Sequence, residues 1–507
     1  MKKSISLMVI MALVLALEAC SPSTGTTLQT TAGTAAPTTA GTTTKAPRRT
    51  ITSLHTENTA LVEKPKIVLE ACERLNIDWK PTVVGTADYM TKLNALIAAK
   101  TVPDLFGFDI TNGGKYKSNG LIIALDELLN KYGADIKANR QAYLSGGLNN
   151  DGKVWGIPTP PGYPMMICIR TDWLKNLNLA VPTDTESFYN VMKAFTKNDP
   201  NKNGKDDTLG LTILMDGFGT FEGIFSAFGF SNQAPIVLNG VVTSFIKHPN
   251  FLKSIEYLRR LYSEGLMEPD FVSIPQMKAW EKLWTGVTGA TCWSPVGPLN
   301  NWLARYTETV KPEMTAIILK GSDGKAGVYN RLSSSYYGIS STCKYPEEAM
   351  RLANYFSTPA GDELLYLGVE GTHFAWDDKA NGKFHYLDPY KTDIALQRAD
   401  GGFIMWSTFR RINDNTEIKT LTASTQAALK LAVDNPLATG AIVLKPAIEA
   451  ELGTTLTDIE KECVSSLIVS KGNLNSELAA LITKWEKEGG TTWEKQATEI
   501  YKSENKK

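Results

Sequence analysis

Along most of the chain, apolar residues recur either at every second position or at every third to fourth, and the two periods alternate. Ile51 to Thr56 reads as a strand. Val62, Ile67, Val68, Ala71 and Leu75 then mark one face of a helix over 62–75, with Asn76 at its stop. Asp78 to Val84 is again extended. Asp88 stands as an N-cap for a helix over 89–99, striped by Tyr89, Leu93, Leu96 and Ile97. Leu105 to Phe108 predicts a short buried strand, and Leu121 to Tyr132 a further helix. Strand then helix, repeated, is the pattern of an α/β layered protein. There is no internal repeat.

Two stretches at the start depart from this alternation. Lys2 and Lys3 precede an apolar run from Ile5 to Leu17 broken only by Ser6, which is too short to span a bilayer and suits an export signal. It ends Leu17-Glu18-Ala19-Cys20, which resembles a lipobox, so residues 1–19 are read as a removed leader and Cys20 as the acylated first residue, carrying palmitate or a similar chain. Glu18 departs from the small or apolar residue usual there. The next 30 residues, Ser21 to Thr50, hold 12 threonines and no acid, so they bury too little apolar surface to fold. They read as a tether reaching on the order of 30 Å.

Composition narrows the class. Removing the leader takes two lysines and one glutamate from 53 basic and 53 acidic residues, leaving a net charge near −1. That balance argues against nucleic acid as partner and against a polybasic membrane patch. The chain beyond residue 50 is longer than one hydrophobic core usually serves, so two domains are expected. Cys72, Cys168, Cys292, Cys343 and Cys463 are far apart and odd in number; most read as small buried hydrophobes, with one disulfide left open.

At Pro103-Asp104-Leu105-Phe106 and Gly120-Leu121-Ile122-Ile123-Ala124-Leu125-Asp126-Glu127-Leu128 the chain resembles the family 1 extracellular solute-binding proteins, receptors of sugar-importing ABC transporters. Trp155-Gly156-Ile157-Pro158, Ile169-Arg170-Thr171-Asp172-Trp173-Leu174, Val181-Pro182-Thr183 with Ser187-Phe188, and Leu258-Arg259-Arg260-Leu261-Tyr262 come in the family's order. So do Glu264-Gly265-Leu266-Met267-Glu268-Pro269, Tyr345-Pro346-Glu347-Glu348-Ala349 and Gly368-Val369-Glu370-Gly371-Thr372-His373. The resemblance implies a two-lobed periplasmic-binding-protein-like α/β fold of type II, with a ligand cleft between lobes and hinge closure as the signal to the permease subunits. It places a first crossing near Gly162 to Cys168 and a return near Ser333 to Ile339. Lobe 1 is then 51–165 plus about 335–390, and lobe 2 is 166–334 plus about 391–507. It also implies a monomer, anchored to the cell membrane only through lipid.

A sugar cleft needs aromatic platforms and side chains that bond to hydroxyls. Trp293, in a Ser/Pro/Gly loop where no helix stripe requires it, and Trp302 are the leading platforms; Trp155, Trp173, Trp280 and Trp284 read as core. The resemblance places Trp376 with His373, and Trp406 with Arg410, in later cleft loops, and Tyr163 on the crossing. A cation loop is also legible. Asp199, Asn201, Asn203 and Asp207 supply side-chain oxygens, Lys205 a carbonyl and Gly204 the turn, an arrangement for structural Ca²⁺; Thr208 stands where family members commonly have Glu.

No GxSxG, HExxH or GxxxxGK[ST] occurs, and His55, His248, His373 and His385 lack metal-ligand spacing, so no enzyme is predicted. A lipid-anchored glycoside hydrolase, which needs only two placed carboxylates, and a surface adhesin are the alternatives.

Overall fold

The computed structural model describes residues 47–145, 147–149, 151–321, 324, 327–329, 335–412, 414–437 and 446–504. The leader, Cys20, the tether up to residue 46, and Ser333 and Ser334 of the expected return lie outside the described residues.

Two sheets organise the chain. The first has the order Ile77–Val84, Arg49–Thr56, Leu105–Asp109, Ser335–Ile339, Ile157–Pro158. Its first three strands run parallel, and Ser335–Ile339 is antiparallel to Leu105–Asp109, with Tyr337 opposite Gly107. A Cβ at Gly107 would stand 2.6 Å from the Tyr337 ring, so this register requires glycine. The second sheet has the order Met314–Ile317, Met166–Arg170, Thr288–Trp293, Leu209–Thr212. Met166–Arg170 is antiparallel to both neighbours, and Leu209–Thr212 is parallel to Thr288–Trp293.

Each sheet has its own core. Ile51, Leu105, Leu352, Phe356 and Leu365 pack in the first. In the second, Ile167, Phe195, Phe225, Leu258 and Ala290 pack with Leu467 and Trp485 from the C-terminal helices Glu449–Val469 and Leu474–Trp485. All five described cysteines are free thiols, four of them buried.

Three segments join the lobes. Pro158 lies opposite Tyr336 and Met166 opposite Trp293, so the first crossing, Thr159 to Met165, runs from the carboxyl edge of one sheet to that of the other. The return between Ile317, opposite Ile167, and Ser335, opposite Asp109, joins the same two edges. A third crossing adds to the two expected. Ile404, Met405 and Phe409 pack in the first core, whereas Ala428 and Ala432 of the helix Ala423–Asp434 pack on the second sheet's edge. Residues 391–409, assigned from sequence to lobe 2, therefore belong with lobe 1.

Two helices start later than their apolar pattern indicates. The first is Lys66–Leu75, with Pro65 at its N-cap, because a proline disfavours helical backbone in the residue before it. The second is Asp126–Tyr132. Ile122 makes a single bridge to Ser340 and the Ile123 N–H donates to Ile339 O, so the two isoleucines lie against the end of Ser335–Ile339 and the helix begins only after Leu125.

Candidate functional site

In open α/β sheets, ligands bind beyond the carboxyl ends of the strands. The first two crossings converge on those ends. On the first sheet, Asn58 lies just past Arg49–Thr56 and Asp88 just past Ile77–Val84. Their side-chain oxygens converge over Gly85, 3.3 Å and 3.7 Å from where its Cβ would be. Asp109 ends its strand and caps the helix Ile110–Ser118, accepting from the Asn112 backbone N–H at 2.9 Å and Nδ2 at 2.7 Å. On the second sheet, Asp216 lies past Leu209–Thr212 and accepts from the Gln276 N–H at 2.9 Å.

Trp293 is the last residue of its strand, at this same edge. Its ring lies 4.9 Å from Trp280 and 6.4 Å from Trp302, nearly parallel to the latter at 27°. Trp302 in turn meets Trp280 at 5.1 Å and Trp284 edge-on at 5.8 Å. Trp280 is buried at 3 % exposure, while Trp284, Trp293 and Trp302 are half-buried, so the four tryptophans form one group with a buried base. Gly297 lets the loop pass: a Cβ there would be 3.0 Å from both Trp293 and Trp302. Sequence reasoning separated Trp280 and Trp284 from Trp293 and Trp302; the packing unites them.

Val296 in the same loop packs with Tyr163 and Leu429, which ties the tryptophan group to the first and third crossings. There the Arg410 guanidinium stands 4.7 Å over the Tyr163 ring and 5.7 Å from Trp406, donates to Pro161 O at 2.9 Å, and lines a cavity of about 570 Å³ with Tyr163 and Ile418. The Tyr163 hydroxyl donates to Glu417, whose carboxyl is pushed up by burial and held down by that bond and by Arg410. Arg140, buried, donates to Pro158 O at 3.1 Å and to Arg410 O at 2.9 Å, pinning the roots of both crossings to lobe 1. Burial lowers its pKa to about 9.

The other expected residues fall elsewhere. His373 is 0 % exposed and has no surface for a ligand: its Nδ1 accepts from the Val369 N–H at 3.0 Å, so Nε2 carries the proton toward Asp400 at 3.3 Å, and its ring lies 4.4 Å from Tyr390. Trp376 packs within a surface hairpin, Phe374–Asp378 with Lys383–Tyr386, against Phe374 at 5.5 Å and Phe384 at 6.0 Å. Trp406 is half-buried against Tyr366 at 5.0 Å and Phe403 at 5.9 Å, at the rim of the first core. Tyr163, Arg410 and Trp406 are thus brought together, as are Trp293 and Trp302. Trp376 and His373 join neither group. Asn58, Asp88, Asp109 and Asp216 carry no sequence signal beyond position, each lying at or within four residues of the carboxyl end of a strand.

The loop 199–207 closes on itself. Asp199 accepts from the Asn203 N–H at 3.0 Å and the Gly204 N–H at 2.9 Å, and Asn203 Oδ1 accepts from the Lys205 N–H at 2.8 Å. Asn201 and Asn203 turn amide nitrogens toward Asp207, at 3.4 Å and 3.0 Å. Positive φ at Lys202 and Gly204 gathers these side chains on one concave side. Two carboxylates, two amides and the Lys205 carbonyl make a hard oxygen donor set that suits Ca²⁺. Among the described residues no group of three or more His, Cys, Asp or Glu could hold a metal, so the amides are indispensable to any ion here.

The profile of the bacterial extracellular solute-binding proteins matches residues 59–363. The chain belongs to this family. The resemblance read from its ordered motifs is therefore borne out, and so is the two-lobed fold. This solute-binding protein is 28% identical over 449 residues to the polygalacturonan/rhamnogalacturonan-binding protein YtcQ of Bacillus subtilis, covering 84% of its own chain and 85% of the relative. Its fold matches the HMO-binding, ABC-transporter-associated solute-binding protein of Bifidobacterium longum infantis (TM-score 0.68, 18% identity, 91% of this chain and 100% of the other). It also matches an EF-hand mutant of the S. pneumoniae ABC-transporter substrate-binding protein FusA in complex with fructo-nystose (TM-score 0.60, 18% identity, 89% and 99%). Several family motifs turn out to be structural. Arg170, 2 % exposed, bridges Asp172 and Glu308 and stacks over Trp173 at 4.9 Å. Asp104 accepts from Thr52 N–H and Oγ1, both at 2.8 Å, and so ties two strands together.

Proposed function

We propose that this solute-binding protein is the membrane-anchored receptor of an ABC importer and captures an oligosaccharide between its lobes. One observation carries the reading: a cluster of four tryptophans, two of them in one nearly parallel pair, lies at the carboxyl edge where the first two crossings converge. Such faces accept sugar rings, while Asn58, Asp88 and Asp216 supply acceptors for hydroxyls. The family supports the same class of ligand, as do its relatives, which bind polygalacturonan/rhamnogalacturonan, HMO and fructo-nystose.

Closure would turn about three crossings, with Arg140 and Arg410 holding the lobe 1 side of the joint. A ligand touching both lobes favours the closed form by its differential affinity alone, and the permease reads that form. Acylation of Cys20 would keep the receptor at the membrane; among the described residues no helix is long and apolar enough to cross it. One Ca²⁺ in the loop 199–207 would have a structural role, replacing the amide contacts on Asp207. The FusA relative, known as an EF-hand mutant, supports that reading.

Calorimetry against galacturonan, rhamnogalacturonan, fructan and milk oligosaccharides tests the proposal. Stoichiometric binding without products on chromatography supports a receptor; turnover would support the hydrolase alternative, and no binding across the panel would refute an oligosaccharide ligand.

A further inference from the structure

The cavity of about 570 Å³ at the joint is walled by three elements: Pro161 and Tyr163 of the first crossing, Arg410 and Ile418 of the third, and one side of the helix Ala423–Asp434. Tyr143 adds a ring from lobe 1, and Val433, 58 % exposed, adds an apolar rim from lobe 2. The volume lies in the ordinary range of ligand pockets. Tyr163 and Leu429 of this wall also pack with Val296, so the cavity adjoins the loop that carries Trp293.

Arg410 is the charge that this wall leaves unbalanced. The residue is 7 % exposed; among the described residues it donates one side-chain hydrogen bond, to Pro161 O at 2.9 Å, and has no carboxylate within 4.0 Å. None of its side-chain nitrogens is both sealed from solvent and unpaired, so the N–H groups that Pro161 does not use open to the cavity. The rings of Tyr163 at 4.7 Å and Trp406 at 5.7 Å hold the guanidinium in place. Glu417, the acid that acts on it electrostatically, is engaged by the Tyr163 hydroxyl, and burial pushes its carboxyl up, which weakens it as a counter-ion. Lys430 and Asp434 pair with each other at 2.7 Å. With Arg410 and Lys430 set against Asp434, the lining carries a net charge of +1, and Asp88, Asp109 and Asp216 are not part of it.

We propose that this cavity takes the carboxylate of a uronate ring on the open edge of Arg410, so that the oligosaccharide captured between the lobes is an acidic one. The inference rests on the receptor reading above and names its ligand class. A guanidinium edge in a largely dry wall is matched best by a carboxylate, which accepts two parallel N–H···O bonds in one plane; a neutral sugar offers no such partner. The apolar wall then meets the face of the ring. Because Tyr143 belongs to lobe 1 and Val433 to lobe 2, a ring held here touches both lobes and favours one setting of the joint by its differential affinity.

The probe is trigalacturonate, titrated calorimetrically into the full chain, with the fully methyl-esterified trisaccharide as a neutral comparator of the same skeleton. The acid should bind roughly tenfold or more tighter than the ester, with an advantage that shrinks as salt is raised. Arg410→Gln should bring the acid down to the affinity of the ester, and Arg410→Lys should keep part of the preference. Val433→Glu, at an exposed position on the rim, adds a carboxylate to the lining without touching the core, and should weaken the acid while leaving the ester and the melting temperature unchanged. Equal affinity for acid and ester would overturn the proposal, as would an Arg410→Gln protein that loses both alike or an acid preference untouched by Val433→Glu. Saturable binding of fructan or a neutral milk oligosaccharide with none of trigalacturonate would overturn this inference and leave the receptor reading standing, which fails only if no glycan of the panel binds.

Discussion

Trp293→Ala separates what the tryptophan group does for folding from what it does for a ligand. The half-buried ring loses its contacts with Trp280 at 4.9 Å and Trp302 at 6.4 Å. Each aromatic pair is worth about 0.5–1.5 kcal/mol, and the apolar area of a half-buried ring adds about 1 kcal/mol. The folded state should therefore lose roughly 2–4 kcal/mol, a fall in melting temperature of at least roughly 5 °C. Sequence alone did not place Trp280 beneath Trp293. Losing a stacking platform should cost a further ~1–3 kcal/mol of binding, tenfold to more than a hundredfold in affinity. Trp280→Ala is the reference. At 3 % exposure it should cost about 3–5 kcal/mol of stability, and its effect on binding is indirect. Calorimetric titration and thermal melting of both variants decide the matter. If Trp293→Ala melted as early as Trp280→Ala and bound oligosaccharide like the wild type, the edge position of Trp293 would have no part in recognition.

Calcium at a hundredfold excess over its Kd should stabilise the protein by about 2.7 kcal/mol, and Asp199→Ala should remove that response; a calcium-dependent melting temperature that survives the substitution would place the ion elsewhere. Cys20→Ala should move the protein from the membrane fraction to the medium or soluble fraction, and unchanged fractionation would argue against acylation. Glu222 is fully buried among Ser226, Ser231 and the Asn232 N–H, and burial raises its carboxyl from 4.5 to about 7. The folded state thus holds this proton more tightly than the unfolded one, so stability is highest below about pH 4.5 for this group and falls as pH rises to about 7, by on the order of 3 kcal/mol. Glu222→Gln should gain stability over the wild type at pH 8 relative to pH 5 in denaturant unfolding. Identical pH slopes would show that the carboxyl titrates normally.

Parts of the site were legible because they break a local pattern. Trp293 stood out as a large aromatic beside Ser, Pro and Gly, and the loop 199–207 as alternating oxygen side chains. Asn58 and Asp88 broke none: a short polar residue after a strand looks the same whether it faces a turn or a cleft. His373 was misplaced for the converse reason. Its motif, Gly368 to His373, is a turn whose chemistry is directed inward, the ring accepting from Val369 and meeting Asp400, and one-dimensional order carries no inside or outside for an imidazole.

The alternation of periods two and 3.6 and the oxygen-rich loop are local properties, each set by neighbours a few residues apart, and sequence by itself determined them. Tertiary structure decided the rest. Leu121 to Leu125 is apolar enough for a helix, yet Ile122 bridges Ser340, more than two hundred residues away, and Ile123 donates to Ile339, because backbone groups at the end of the sheet outweigh a weak propensity. Residues 391–409 joined lobe 1 because Ile404, Met405 and Phe409 fill space beside Leu365, which no local pattern encodes. The site itself is of this kind: Trp293, Trp302, Tyr163 and Arg410 become neighbours only when two sheets present their carboxyl edges to the same three crossings, and packing at long range sets that geometry.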